Sequence, residues 1–342
     1  MYLVADFFIY INALAMRYII TFLCCMIGLQ AAAGDFMLKD DPLYWKNRKP
    51  YEDYWQQDVH YKIKVRIDEQ QHTVSGHQAL DYRNNSPDTL REVYFHLFQN
   101  AFVKGAYTHM LQEANKVKPV LGKYERAGLG TTVTHVQVNG REARVELDNT
   151  IMKVILPAPL YPGAHITIDM DFTSYWDTGS TRRRMKMYDA WGFMHYNGCQ
   201  WYPKISVYDA KFGWDTYQHL GKEFYGDFGV FDVELDFPSN YIVEATGQLQ
   251  NREEVLPESL RKQLDLNNFK NKPWGERPSE IIPYKPGERK TWHFIGKHVH
   301  DFAFTADPSY RIATTYWNGV ECVGLAQEPH ASGWIGSEQL VA

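Results

Sequence analysis

The residues of this 342-residue chain that could do chemistry are few and scattered. His298-Val299-His300-Asp301 comes nearest to a metal motif, because alternate residues of a strand share a face and would present two imidazoles together. Phe302 stands where a further His would help and no third ligand is evident, so the same text also fits a strand end with surface histidines. The 13 histidines include no His-Glu-x-x-His, the spacing that sets two zinc ligands and a general base on one helical face. Glycine-rich phosphate cradles and a Gly-x-Ser-x-Gly elbow are missing as well. Arg182-Arg183-Arg184 with Lys186 could hold a phosphate or an acidic peptide. Three adjacent arginines point apart on any regular element, which favours a solvated loop. The densest stretch is aromatic: Trp191 to Lys204 holds Trp191, Phe193, Tyr196, Trp201 and Tyr202, and Tyr208, Trp214 and Tyr217 follow. Rings interleaved with amides and hydroxyls can wall a peptide or sugar site, or simply fill a core.

The elements that must position these residues are strands. Tyr (23), Phe (18) and Trp (10) are abundant, and aromatic residues favour pleated sheets. With 44% hydrophobic and 23% charged residues the chain can bury a core, which excludes disorder and a collagen-like repeat. A net charge of −5 argues against nucleic acid as a partner. Val59, Tyr61, Ile63, Val65 and Ile67 alternate with polar residues, the pattern of a half-buried strand. Similar runs follow at 72–83, 90–97, 131–138, 141–147, 151–156, 166–172, 228–237, 241–249, 291–295 and 302–305. Asn139-Gly140 between two such runs marks a hairpin. One helix is expected at 253–266, with Pro257 in its first turn, and residues 267–290 read as a polar loop. The fold class is therefore all-β, a large β-sandwich or saddle-shaped sheet with little helix.

The first 33 residues read as an export signal: Arg17, an apolar run from Tyr18 to Leu29, and Ala31-Ala32-Ala33 before the cleavage point. Met16 makes the better start. The apolar run falls short of the ~20 residues of a membrane span, so no stable span is expected beyond the signal. Cys24 and Cys25 sit too early in that run for a lipoprotein site. Removing the signal leaves Cys199 and Cys322, whose pairing the sequence leaves open. The expected location is the periplasm or cell envelope. Residues 34–56 form an aromatic lead-in, 57–310 the β-domain, and 311–342 a linker and the start of another domain. The text from Ser332 to Ala342 starts a helix, with Ser332 or Ser337 as N-cap, and stops within a turn or two. More chain is expected after Ala342.

Several segments, in order over roughly residues 55–325, resemble the amino-terminal β-domain of aminopeptidase N-type zinc metallopeptidases (peptidase family M-one), in the form common in Bacteroidetes-like bacteria. They are Asn84-Asn85-Ser86-Pro87-Asp88-Thr89-Leu90, Val93-Tyr94-Phe95-His96-Leu97 and Gln200-Trp201-Tyr202-Pro203-Lys204. Gly221-Lys222-Glu223-Phe224-Tyr225-Gly226, Phe231-Asp232-Val233 and Tyr241-Ile242-Val243-Glu244-Ala245-Thr246-Gly247 follow. Val299-His300-Asp301-Phe302-Ala303 and Ala306-Asp307-Pro308 complete the series. The resemblance implies a saddle-like β-sandwich followed, in the complete enzyme, by a zinc-binding catalytic domain carrying Gly-x-Met-Glu-Asn and His-Glu-x-x-His. Neither motif occurs here, so this chain alone is expected to hold no cofactor or metal and to be inactive, with zinc in the complete enzyme. The resemblance also places Gln200 where a β-domain Gln meets the amino terminus of a peptide substrate, with Tyr202 as a second polar contact. The remaining partner would be the chain's own catalytic domain. The alternative from composition is a stand-alone β-sandwich module that binds glycan or peptide through the aromatic surface from Trp191 to Trp214.

Overall fold

Strict alternation of burial along Asp58–Asp68 shows what drives the architecture: Val59, Tyr61, Ile63, Val65 and Ile67 are buried while Lys62, Lys64 and Arg66 face solvent. A strand patterned this way belongs to a sheet with one dry face. The computed structural model describes residues 53–179, 184–221 and 223–341. The export signal, most of the lead-in, and Arg182 with Arg183 lie outside the described residues.

The strands are β1 (Asp58–Asp68), β2 (Thr73–Arg83), β3 (Leu90–His96), β4 (Thr131–Val138), β5 (Arg141–Glu142), β6 (Arg144–Asp148) and β7 (Ile151–Leu160). Next come β8 (His165–Tyr175), β9 (Lys186–Ala190), β10 (Phe193–Gly198), β11 (Lys204–Ile205), β12 (Tyr208–Asp209) and β13 (Gly213–Trp214). The last are β14 (Gly229–Pro238), β15 (Ile242–Ala245), β16 (Gln248–Leu249), β17 (Arg289–Val299), β18 (Phe304–Asp307), β19 (Tyr310–Trp317) and β20 (Val320–Gln327). Eight of them form one sheet in the order β16-β17-β14-β1-β2-β8-β4-β5. Its neighbours are antiparallel except β1 and β14, which run parallel. Two four-stranded sheets, β15-β18-β10-β9 and β11-β3-β7-β6, supply the opposing layer.

One buried cluster joins the layers. Tyr61 of β1 stacks on Phe231 of β14 at 4.5 Å, and its hydroxyl oxygen accepts the Ile205 N–H of β11 at 2.9 Å. Trp176, Trp201 and Trp292 are fully buried, as are Tyr82, Tyr196, Phe95 and Phe237, so much of the aromatic content fills the core. The outer face of the large sheet carries cross-strand rows of polar residues instead. One row runs His293, Glu234, Lys64, His77, Asp171 and Thr134 across six strands. Within it Lys64 pairs with Glu234 at 2.8 Å and His77 with Asp171 at 3.0 Å.

Gly76 lets β1 and β2 approach: a Cβ there would lie 2.0 Å from the Lys64 carbonyl oxygen. Backbone cannot step aside as a flexible side chain can. Gly76→Ala is expected to destabilise the domain by about 1–3 kcal/mol, read as a lower urea midpoint at unchanged slope.

Several elements differ from the sequence pattern. The expected 253–266 helix is two short ones, Arg252–Val255 and Glu258–Leu264, because Pro257 forces Leu256 out of helical geometry. The run 241–249 divides into β15 and β16 in different sheets, turning at Gly247 with φ +97°. A further helix, Tyr107–Ala114, buries none of its residues and so carries little apolar signal. Asn139 and Gly140, both at positive φ, do join β4 to β5 as a two-residue hairpin. Near the carboxyl end, short helices span Ala331–Trp334 and Ser337–Val341. No helix among the described residues is long and apolar enough to cross a membrane.

Candidate functional site

The turn that follows β10 is held on every side but one. Gly198 closes the strand because a Cβ there would meet the Phe304 ring at 2.2 Å. Two residues on, Gln200 adopts φ +57°, a conformation uncommon for a residue with a side chain. Gln99, buried in the short 3-10 turn Phe98–Phe102, donates its amide to the Gln200 carbonyl at 2.8 Å. Trp201 donates its indole N–H to Phe302 O at 3.0 Å, and Gln78 donates to Pro203 O at 2.9 Å. These contacts fix the backbone through the turn.

The Gln200 side chain is the exception. It is 2% exposed, yet neither Oε1 nor Nε2 has a hydrogen-bond partner among the described residues. A buried amide left unmatched costs on the order of 1–3 kcal/mol, so such a group calls for an explanation. It does not hydrogen-bond its own loop.

Tyr202 is placed differently. It is buried, and its hydroxyl donates to Asp301 Oδ1 at 2.7 Å. Burial, and then the Asp301 charge, push its phenol well above the ordinary range. Asp301 also lies 3.6 Å from Lys204 Nζ, which donates to His300 O at 2.5 Å and covers the Phe224 ring at 4.3 Å. Burial lowers the Lys204 pKa, and Asp301 opposes that shift. Tyr202, Lys204 and Asp301 thus form a buried brace immediately after Gln200.

The remaining candidates separate. His298 lies at an irregularity in the β14–β17 pairing, where Gly229 pairs with Val299 but Val230 with Lys297, and it has φ +56°. That bulge breaks the alternation that would have put His298 and His300 on one face. The His300 ring instead packs on Phe228 at 5.4 Å. Among the described residues no group of three or more His, Cys, Asp or Glu side chains could hold a metal ion, so these residues do not fit a zinc site. Arg184 pairs with Glu223. Cys199 and Cys322 are both free thiols. The aromatic run does not form one surface: Tyr196, Trp201 and Tyr202 fill the core, and Trp191 donates to Gly275 O at 3.2 Å. Trp214 packs apart from them, on Tyr208 at 4.9 Å and Tyr94 at 5.4 Å.

Gln99 and the Lys204–Asp301 brace were not evident in the sequence. Gln99 carries one signal, an amide directly after the apolar run that ends at Leu97-Phe98.

No family model matches the chain, and no curated protein matches it. Among solved structures, it is similar to an M1 zinc metallopeptidase from Deinococcus radiodurans at 14% identity and a TM-score of 0.42. The match covers 79% of this chain and 47% of that one. A mutant of that metallopeptidase bound to a Tyr-Ser-Ala substrate matches over the same shares, with 14% identity and a TM-score of 0.42. A two-domain M1 zinc metallopeptidase mutant bound to L-arginine gives 13% identity, a TM-score of 0.42 and the same coverage. The chain therefore spans about half the length of the solved proteins it matches.

Proposed function

We propose that this chain is the amino-terminal β-domain of an exported zinc aminopeptidase, in which it frames the amino end of a peptide substrate. The observation that carries the reading is the Gln200 side chain, buried and unmatched on a backbone turn that Gln99 clamps. An amide offers a carbonyl oxygen to an ammonium and an N–H to a carbonyl, so one residue could meet both groups at a peptide's amino end. Tyr202, whose buried hydroxyl donates to Asp301 at 2.7 Å, acts in this reading as a positioning residue for the Gln200 turn. Zinc and the water-activating base belong to the catalytic domain that this family resemblance implies.

Three measurements test this. Purified alone, the chain is expected to retain no stoichiometric zinc and to leave aminoacyl-nitroanilides uncleaved; robust zinc-dependent turnover would contradict the proposal. The coding sequence downstream is expected to encode Gly-x-Met-Glu and His-Glu-x-x-His in frame within about 150 residues, one ordinary domain length. In the protein that includes them, Gln200→Ala is expected to lower kcat/KM by roughly ten- to a hundred-fold, the loss of about 1.4–2.8 kcal/mol of transition-state binding. Unchanged kcat/KM in a folded Gln200→Ala protein would remove Gln200 from the site.

A further inference from the structure

Away from Gln200, a cavity of about 370 Å³ opens between His96 at the end of β3, Phe98 and the segment 212–225. Its volume falls within the roughly 300–1,000 Å³ of small-ligand sites. Phe98, Trp214 and Phe224 line it, and Phe212 and Tyr217 stand 64% and 73% exposed at its edge. Large rings left in water beside a formed cavity mark a binding surface.

His96 supplies the polar feature. It is 6% exposed and stacks on Phe98 at 5.0 Å, and its Nδ1 has no hydrogen-bond partner among the described residues. Its Nε2 lies 3.9 Å from Asp215 Oδ2. Burial, and after it the charge of Lys204, hold the His96 pKa down to about 4, so the ring is neutral at physiological pH. A neutral imidazole nitrogen is a donor in one tautomer and an acceptor in the other, and a hydroxyl can satisfy either.

Charge narrows the ligand further. Arg184 is matched by Glu223 and Lys204 by Asp301, so neither cation is left to recruit an anionic ligand. Of the two carboxylates in the lining, Glu223 is taken by Arg184 and Asp215 faces His96 Nε2 at 3.9 Å, so the acids do not stand open to recruit a cation. What remains is a neutral ring with apolar C–H faces and hydroxyl edges.

We propose that this cavity binds a neutral hexopyranose, packed against the aromatic walls with one hydroxyl on His96 Nδ1. Gln200 does not line the cavity, so the site stands or falls independently of the aminopeptidase reading.

The test is a titration of the purified chain with methyl β-glucopyranoside, methyl β-galactopyranoside, methyl α-mannopyranoside and N-acetylglucosamine. Saturation-transfer NMR and tryptophan fluorescence report binding. At least one sugar is expected to saturate with a dissociation constant of about 1 mM. Phe212→Ser and Tyr217→Ser, both at exposed positions, are expected to weaken that binding roughly five-fold or more at an unchanged melting temperature, through lost ring contact. Absence of saturation by every sugar up to about 100 mM would overturn the proposal. So would equal affinity in both variants, or tighter binding of butylamine or acetate at the same rings.

Discussion

Arg311→Ala is expected to destabilise the domain by about 3 kcal/mol, because it strips one of two cations from a buried carboxylate and leaves two carbonyls without a donor. Arg311 on β19 and Glu328 are both fully buried. The guanidinium donates to the Glu328 carboxylate, to Tyr310 O at 2.9 Å and to Ser279 O at 2.7 Å, and lies 4.6 Å from the centre of the Phe269 ring. Glu328 also accepts from the Ser279 N–H and hydroxyl, each at 2.8 Å, and lies 3.1 Å from Lys272 Nζ. Truncation leaves one charge and two carbonyls without the donor they share. Lysine would keep the charge but lose the planar fork that reaches three acceptors at once, so Arg311→Lys should recover only part of the loss. Urea denaturation of the two variants measures both effects; equal stability of Arg311→Ala and wild type would show that the cluster is inconsequential. The network also sets an acid limit. Burial raises the Glu328 pKa, but the donors from Ser279 and Lys272 and the Arg311 charge outweigh it and leave the group below its ordinary 4.5. A carboxyl depressed on folding contributes stability above its unfolded pKa, and that contribution disappears as pH falls through the folded value.

This cluster also shows where reading the sequence stops. Period-two alternation located the strands of the large sheet, since Val59 to Ile67 need only a dry face on one side to declare their register. Asn139-Gly140 likewise announced its hairpin through backbone geometry that few other residues tolerate. Both signals are local. Arg311 and Glu328 lie 17 residues apart, and Ser279 lies 32 residues before Arg311, so no spacing rule could bring them together. At the candidate site, Gln200 was singled out by its resemblance to a family pattern, whereas its clamp Gln99 lies 101 residues away. His298 and His300 illustrate the opposite failure. Their spacing suggested a shared strand face, and a one-residue bulge at the strand end separated them. Bulges and long-range buried polar contacts depend on the partner strand, which alternation within one segment does not encode.

Asp227→Asn is expected to stabilise the domain at neutral and alkaline pH, by an amount on the order of 4 kcal/mol at pH 8. Asp227 is 4% exposed, and neither carboxylate oxygen forms a hydrogen bond among the described residues. Burial pushes its pKa up to about 7 from an ordinary 3.8; the Gln57 backbone opposes the shift, the Asp209 charge adds to it, and Lys204 works against it. The sign follows from proton counts. Between pH 3.8 and about 7 the folded carboxyl holds a proton that the unfolded one has released, so wild-type stability falls as pH rises through that window. Asn mimics the protonated carboxyl and carries no charge to desolvate. The two proteins should therefore be nearly equal in stability near pH 4 and diverge until about pH 7. Glu244, whose pKa burial also pushes up to about 7, leaves the variant some slope of its own, so the difference between the two proteins is the quantity to read. Glu328 acts in the opposite direction and only in acid, at and below its ordinary 4.5, so it cannot imitate the effect. Thermal denaturation of both proteins at pH 4, 6 and 8 separates these contributions, and a stability difference that stays constant across that range would rule out a buried, proton-holding Asp227.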